Sequence, residues 1–228
     1  MERFVSFGQR TITKTPEHIR KMGLRFTQAS SNIEKKSLGE LNTLYLEEEV
    51  NDSSIQRLIA SFREINKNAP NQEITLRINS DGGYIASVLK MITQMQHLSN
   101  PIETITETNA YSSAALILAS GTPDKRYAYD GARIMIHQSQ VKISNWEGSM
   151  PELIEYCEEK KKSNDLFLGA LAHATGRSFD EIESDTRKDL NLTAEEAVNY
   201  GIIDHVIPRP EKLATSGTLL NQHDPKAK

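Results

Sequence analysis

Three short segments of this sequence carry residue types that together suit nucleophilic catalysis. In chain order they are the turn Gly82-Gly83, the pair Ser112-Ser113, and His137 at the end of an apolar run. A serine hydroxyl becomes reactive when a histidine takes its proton, a carboxylate orients that histidine, and backbone N–H groups stabilise the oxyanion. Asp189, in a downstream acidic cluster, can supply the carboxylate. The combination predicts a serine hydrolase.

The start of a predicted helix directly after Ser112 offers the N–H groups that this chemistry needs. A helix N-terminus leaves backbone N–H groups unpaired and carries the positive end of the helix dipole. The N–H groups of Ser113 and Gly83 are therefore the candidates for an oxyanion hole. Glycine also permits backbone angles and a close approach of substrate that a side chain would block.

Each of these residues also fits an ordinary structural role when it is taken alone. The serines are suitable helix N-caps, and the glycine pair is suitable for a tight turn. His137 could be a hydrogen-bonded core residue, and Asp189 could be a surface charge or a helix cap. The functional interpretation therefore depends on the conjunction of the elements.

Strands that alternate with helices must position these residues. The expected strands are 44–46, 74–78, 102–105, 127–129, 134–136 and 202–207, and the expected helices include 55–65, 85–95, 114–119 and 150–174. Two capping boxes, Ser178-x-x-Glu181 and Thr193-x-x-Glu196, predict the starts of two further helices. This alternation favours an α/β fold with parallel strands joined by crossover helices. Gly83 and Ser112 then follow strands, at the carboxyl ends where open sheets bind ligands.

Composition narrows the class of protein. The chain has 228 residues, a net charge of −4, a single cysteine, Cys157, and no Lys and Arg run that suggests a groove for a polyanion. The negative net charge gives no reason to expect a nucleic-acid partner, and the single cysteine fits a reducing cytoplasm. No apolar run approaches the roughly 18 residues of a membrane span, and the first residues lack the apolar core of a signal peptide. The histidines are not spaced for a metal site. We therefore expect a cytoplasmic protein without metal, membrane or nucleic acid.

From about residue 44 to residue 206 the sequence resembles the proteolytic subunit of the Clp protease, the ClpP family. Four stretches carry the resemblance: Arg-Ile-Asn-Ser-Asp-Gly-Gly at 77–83, Arg-Ile-Met-Ile-His-Gln at 133–138, Ala-His-Ala-Thr-Gly at 172–176, and 185–204. The resemblance implies that Ser112 is the nucleophile, that His137 is the general base, and that Asp189 orients it. It also implies that Gly83 and Ser113 give the oxyanion N–H groups.

Asp185 is the competing acid, four residues before Asp189. Asp189 is favoured because it stands just before the signature Leu-Thr-Ala-Glu-Glu-Ala, as the family's aspartate does.

The resemblance further implies a crotonase-like ββα superhelix with a protruding strand–helix handle at about 141–176. The expected organisation is an irregular arm at 1–40, a protease domain at 41–207 and a disordered tail at 208–228. Family members form homo-oligomers, two stacked heptameric rings that make a tetradecamer enclosing the active sites. They hydrolyse unfolded polypeptides or short peptides. The chain itself is expected to hold no cofactor, and ATP enters only through a Clp-type AAA+ unfoldase as partner.

Several features depart from the family pattern. Thr108 stands where the family has glycine, Tyr111 where it has a small residue, and Asp81 replaces a proline in the glycine turn. Tyr111 is expected to crowd the substrate or alter which side chains fit, and Asp81 to disfavour acidic substrates. The first forty residues do not match the family's axial-gate sequence.

Two other interpretations stay open at this point. One is a non-catalytic, ClpP-like scaffold subunit. The presence of all three triad residue types in register argues against it. The other is a crotonase-type acyl-CoA enzyme, which would share the fold and the oxyanion hole but would not need Ser112, His137 and Asp189 together. The sequence therefore favours a serine endopeptidase.

Overall fold

A computed structural model describes residues 42–141, 143–144 and 146–209, which contain seven strands and six helices. The strands are β1 (Thr43–Leu46), β2 (Ile74–Ser80), β3 (Ile102–Tyr111), β4 (Arg126–Tyr129), β5 (Arg133–Ile136), β6 (Leu190–Leu192) and β7 (His205–Ile207). The helices are α1 (Asp52–Asn68), α2 (Ile85–Gln96), α3 (Ser113–Ala119), α4 (Met150–Thr175), α5 (Phe179–Asp185) and α6 (Ala194–Tyr200). The expected N-terminal arm and all but the first two residues of the expected tail lie outside the described residues.

The strands form one mixed sheet that is mostly parallel. Its main order is β1-β2-β3-β4-β7, and β5 pairs with β3 beyond the part of β3 that pairs with β4. Crossover helices connect the first parallel strands, which confirms the predicted α/β class. Strand β6 runs antiparallel to β5 and was not predicted.

The core lies where apolar stripes of the helices meet the sheet. Helix α1 buries one face at helical spacing, with Ile55, Leu58, Ile59 and Phe62. Helix α3 is different because all seven of its residues are buried, so it runs through the interior next to the end of β3. Burying one such aliphatic or aromatic side chain stabilises the fold by about 1.5–3 kcal/mol.

Three predicted boundaries differ from the structure. Strand β3 continues past 105 to Tyr111, because its distal end pairs with β5 after an irregularity in its register with β2. Strand β7 begins only at His205, because Ile202 and Ile203 pack into the core in the turn after α6. The strand of the expected handle is not formed by the described residues between His137 and Ser149, whereas its helix is α4.

Arg126 joins the ends of three helices near the edge of the sheet. Its Nη1 donates to the carbonyl oxygens of Ala119, Ala174 and Gly201 at 3.2, 2.9 and 2.9 Å. Its other nitrogens donate to both carboxylate oxygens of Asp204. Burial alone would raise the pKa of Asp204, but the Arg126 hydrogen bonds and charge outweigh burial and hold that pKa below its ordinary value.

Candidate active site

Parallel pairing of β3 with β5 brings Ser112 and His137 together. Tyr111 lies opposite Met135, and the Ser112 N–H donates to the Met135 carbonyl oxygen at 2.7 Å. Ser112 follows the last residue of β3 and His137 follows the last residue of β5. His137 Nε2 lies 2.9 Å from Ser112 Oγ. This distance is within the reach needed for proton transfer from the hydroxyl.

Antiparallel pairing of β5 with β6 brings Asp189 to the same histidine. Ile136 lies opposite Leu190, so His137 and Asp189 are the next residues at one end of this pair. His137 Nδ1 lies 3.2 Å from Asp189 Oδ1. A carboxylate at this nitrogen favours the tautomer with the proton on Nδ1, which leaves Nε2 free to accept the serine proton. The competing carboxylate, Asp185, instead accepts a hydrogen bond from Tyr200.

The backbone of Ser112 is unusual for a non-glycine residue. Its φ is 53° and its ψ is −120°, in a region that L-residues rarely adopt. Although Ser112 is the N-cap residue of α3, its side chain makes no capping hydrogen bond. The hydroxyl therefore faces His137 instead of the helix. The neighbouring Ser113 hydroxyl is buried and has no hydrogen-bond partner among the described residues.

Backbone hydrogen bonds join the glycine turn to the connection between β1 and α1. The Val50 N–H donates to the Gly82 carbonyl oxygen at 2.8 Å, and the Tyr84 N–H donates to the Val50 carbonyl oxygen at 2.7 Å. Both glycines have positive φ, 91° at Gly82 and 153° at Gly83. A Cβ on Gly83 would clash with the Val50 carbonyl, and one on Gly82 would lie 2.5 Å from the Tyr111 carbonyl oxygen. The turn therefore requires glycine at both positions and lies directly against the Ser112 segment.

A cleft of about 520 Å³ opens beside these residues. Ser112, His137 and Gly83 line one part of it, and α4 forms another wall. The residues that α4 contributes are Tyr156, Lys160, Ser163 and Phe167. Sequence reasoning missed them, because their spacing of four, three and four residues places them on one face of a helix but does not say which face meets the cleft.

Two of the residues that depart from the family pattern, Thr108 and Asp81, make side-chain hydrogen bonds between the ends of β2 and β3. The Thr108 hydroxyl donates to Asn79 Oδ1 at 2.6 Å, and Asn109 Nδ2 donates to Asp81 Oδ1 at 2.7 Å. Tyr111 is half-buried and does not line the cleft, so the structure gives no sign that it crowds a substrate there. Asp81 does line the cleft.

Within the described ranges, no cluster of three or more His, Cys, Asp or Glu residues is arranged to hold a metal ion. The described helices include none with the length and apolar character needed to cross a membrane.

Known proteins match this chain over most of its length. The family model described as Clp protease matches residues 27–210, a range that contains all the predicted site residues. The ATP-dependent Clp protease proteolytic subunit 2 of Corynebacterium jeikeium is 34% identical over 186 residues, covering 79% of this chain and 88% of that protein. The subunit 2 of Prochlorococcus marinus is 37% identical over 175 residues, with coverage of 77% and 85%. The subunit 1 of Corynebacterium diphtheriae is 34% identical over 169 residues, with coverage of 74% and 80%.

Proposed function

This chain belongs to the Clp protease family, and we propose from that premise that it is an endopeptidase with Ser112 as its nucleophile. As a member of that family it is a serine-type peptidase, a hydrolase of peptide bonds. The observation that carries the residue assignment is the line of contacts from Asp189 through His137 to Ser112, at 3.2 and 2.9 Å. Three residues far apart in the chain meet in the order that general-base catalysis needs.

In the acylation step, Ser112 Oγ attacks the carbonyl carbon of the peptide while His137 Nε2 takes the hydroxyl proton. Asp189 keeps the proton on Nδ1 and stabilises the imidazolium that forms. The backbone N–H groups of Gly83 and Ser113 stabilise the oxyanion, and the loss of one such donor typically costs about two to three orders of magnitude in rate. His137 then gives its proton to the leaving amine, and the acyl group stays on Ser112.

In the deacylation step, water replaces the departed amine. His137 Nε2 takes a proton from this water as its oxygen attacks the ester carbonyl, and the same N–H groups stabilise the second oxyanion. Collapse of this intermediate returns the proton to Ser112 Oγ and releases a carboxylic acid. One water is consumed for each peptide bond broken, and no cofactor takes part in either step.

The proposal extends to fold and assembly. We assign residues 41–207 to a crotonase-like protease domain, with α4 as the helix of the handle, in a homo-oligomer of heptameric rings that stack as a tetradecamer. Large exposed apolar side chains on α4 and in the segment before it support an interface there: Val141, Ile143, Trp146, Met150, Ile154 and Leu166. The substrates proposed are unfolded polypeptides and short peptides, with a Clp-type AAA+ unfoldase as the partner that uses ATP. A cytoplasmic location stays a prediction.

Peptide hydrolysis by the purified chain tests the proposal. We expect hydrolysis of a fluorogenic peptide by the wild type and its loss in Ser112→Ala. Ser120→Ala, at the other end of α3, is the matched control and is expected to keep activity, because the Ser120 hydroxyl donates to the Leu116 carbonyl oxygen of its own helix. Sedimentation of the same samples reports the ring assembly. No hydrolysis by an assembled wild-type oligomer would contradict the proposal and favour the scaffold alternative.

A further inference from the structure

Helix α4 presents one continuous face to the cleft that contains Ser112. Residues spaced by three and four lie one above another on a helix, so the four cleft residues of α4 form a single row. Phe167 is buried at one end of the row, Tyr156 and Ser163 are half-buried, and Lys160 is exposed. The α4 wall of the cleft therefore has a buried apolar end at Phe167, its base, and an exposed cation at Lys160, its rim.

Among the described residues, no carboxylate pairs with Lys160. Its Nζ lies 5.0 Å from the centre of the Tyr156 ring, and this cation–π contact is the only interaction of the Lys160 ammonium group within the described residues. The next lysine, Lys161, differs because its Nζ is paired with Asp165 Oδ2 at 2.6 Å. Lys160 thus keeps an ammonium group available to a ligand in the cleft, held near the Tyr156 ring.

Asp81 is an acidic residue that lines the same cleft as Lys160, and its hydrogen-bond partner lies in an adjoining cleft. The Asp81 carboxylate accepts the hydrogen bond from Asn109, and Asn109 lines the adjoining cleft rather than the one with Ser112. That adjoining cleft also collects three neighbouring glutamates, Glu47, Glu48 and Glu49. Asp81 thus lines both clefts, the three glutamates line the adjoining one, and no described carboxylate pairs with the cation on the α4 wall.

From these contacts we propose that Lys160 determines specificity, and that the cleft selects substrates in which the residue supplying the scissile carbonyl has a carboxylate side chain. The inference rests on the proposed function, because it assigns the preference of that same site. An ammonium–carboxylate pair in a partly enclosed cleft is stronger than one in open solvent. Phe167 at the base can contact the methylene groups of a glutamyl side chain while Lys160 meets its carboxylate. This assignment is opposite to the effect expected of Asp81 from the sequence.

A set of four fluorogenic peptides tests the preference directly. The peptides are identical except for the residue that carries the fluorogenic leaving group, which is Glu, Gln, Leu or Lys. We expect kcat/KM for the Glu peptide to exceed that for the isosteric Gln peptide by about tenfold, with the Lys peptide the slowest. Because the pair is exposed at the rim, the Glu-to-Gln ratio is expected to fall as salt is raised from about 0.05 to 0.5 M.

Variants of α4 separate Lys160 from the general charge of the helix. Lys160→Met keeps a long side chain without charge, and we expect the Glu-to-Gln ratio to fall to within about twofold of unity. Lys160→Glu is expected to make the Lys peptide faster than the Glu peptide. Lys162→Met is the matched control, because Lys162 is exposed on the same helix but does not line the cleft, and it should keep the wild-type ratio.

Labelling of Ser112 with a fluorophosphonate in the same preparations distinguishes a failure of the proposed substrate preference from a failure of the proposed peptidase function. Equal rates for the Glu and Leu peptides in a wild type that labels at Ser112 would overturn the specificity inference and leave the proposed function standing. Retention of the Glu preference in Lys160→Met would overturn it as well. Absence of both labelling and hydrolysis would overturn the proposed function itself.

Discussion

The Tyr200 hydroxyl donates a 3.0 Å hydrogen bond to Asp185 Oδ2, which ties α6 to the end of α5. Burial raises the pKa of the Tyr200 hydroxyl, and the bond to Asp185 raises it further, so the phenol stays protonated and remains a donor. Two aspartates four residues apart therefore have different surroundings, because Asp189 instead contacts His137 Nδ1.

Exchanging each aspartate for asparagine separates these two roles. Asp189→Asn is expected to lower kcat by about four orders of magnitude, because an amide at this position no longer fixes the histidine tautomer. Asp185→Asn is expected to keep kcat and to lower the free energy of unfolding by about 1 kcal/mol, through the weakened bond from Tyr200. Peptide hydrolysis and denaturant unfolding of both variants measure the two effects. Loss of kcat in Asp185→Asn with activity retained in Asp189→Asn would reverse the assignment.

Gly82→Ala is expected to disable the site without unfolding the protein. Gly82 has a φ of 91°, and a Cβ there would lie 2.5 Å from the Tyr111 carbonyl oxygen and 2.9 Å from Ser112 Cβ. The backbone must shift away from the nucleophile, which moves the Gly83 N–H, so we expect a loss of kcat of about two orders of magnitude.

The control for this variant is Gly169→Ala in α4. A Cβ at Gly169 meets no atom within 4 Å, so alanine should keep activity and raise stability by about 0.5–1 kcal/mol. Activity and melting temperature of both variants are the measurements. Wild-type kcat in Gly82→Ala would show that this turn does not hold an oxyanion donor.

Arg126→Met is expected to lower the free energy of unfolding by about 3 kcal/mol, because it removes the guanidinium that donates to Asp204 and to three carbonyl groups. Arg126→Lys should not restore this loss, since an ammonium cannot reproduce the planar fork of the guanidinium. The control is Arg57→Met, which breaks the exposed pair with Glu48 and should cost less than about 1 kcal/mol. Equal losses at the two arginines in denaturant unfolding would contradict this account of the Arg126 cluster.

The pair of Arg126 and Asp204 also makes the free energy of unfolding depend on pH in the acid range. Because the folded-state pKa of Asp204 lies below its ordinary value, the ionised form contributes stability above about pH 4 that is lost as pH falls through the folded pKa. We expect the free energy of unfolding to fall more shallowly below about pH 4 in Asp204→Asn and in Arg126→Met than in the wild type. Denaturant unfolding at a series of pH values measures these slopes. Identical slopes in all three proteins would contradict the assignment.

Local sequence patterns predicted most of the fold because they encode local structure. The apolar spacing of Ile55, Leu58, Ile59 and Phe62 gives α1, and alternation gives the buried side of β2. Four capping boxes form within the described part of the chain, including the two predicted at Ser178 and Thr193. Helix caps and periodicity depend only on neighbours within a few residues, so a sequence read alone reveals them.

The features that the sequence did not reveal depend on pairing between distant segments. Strand β6 has three residues and gains its strand conformation from β5, and the polar end of β3 gains its own from β5 as well. The position of Lys160 on the cleft wall depends on how α4 packs, whereas the charge-rich sequence of α4 indicates only an exposed helix. These features depend on tertiary contacts and cannot be deduced from residue spacing alone.

Treatment of the assembled wild-type protein with a fluorophosphonate, with the adduct located by mass spectrometry, identifies the nucleophile directly. We expect one adduct on Ser112 Oγ, formed rapidly in the wild type, slowed strongly in His137→Ala and absent in Ser112→Ala. An adduct on Ser113 or another serine, or no adduct on an assembled wild-type oligomer, would contradict this assignment.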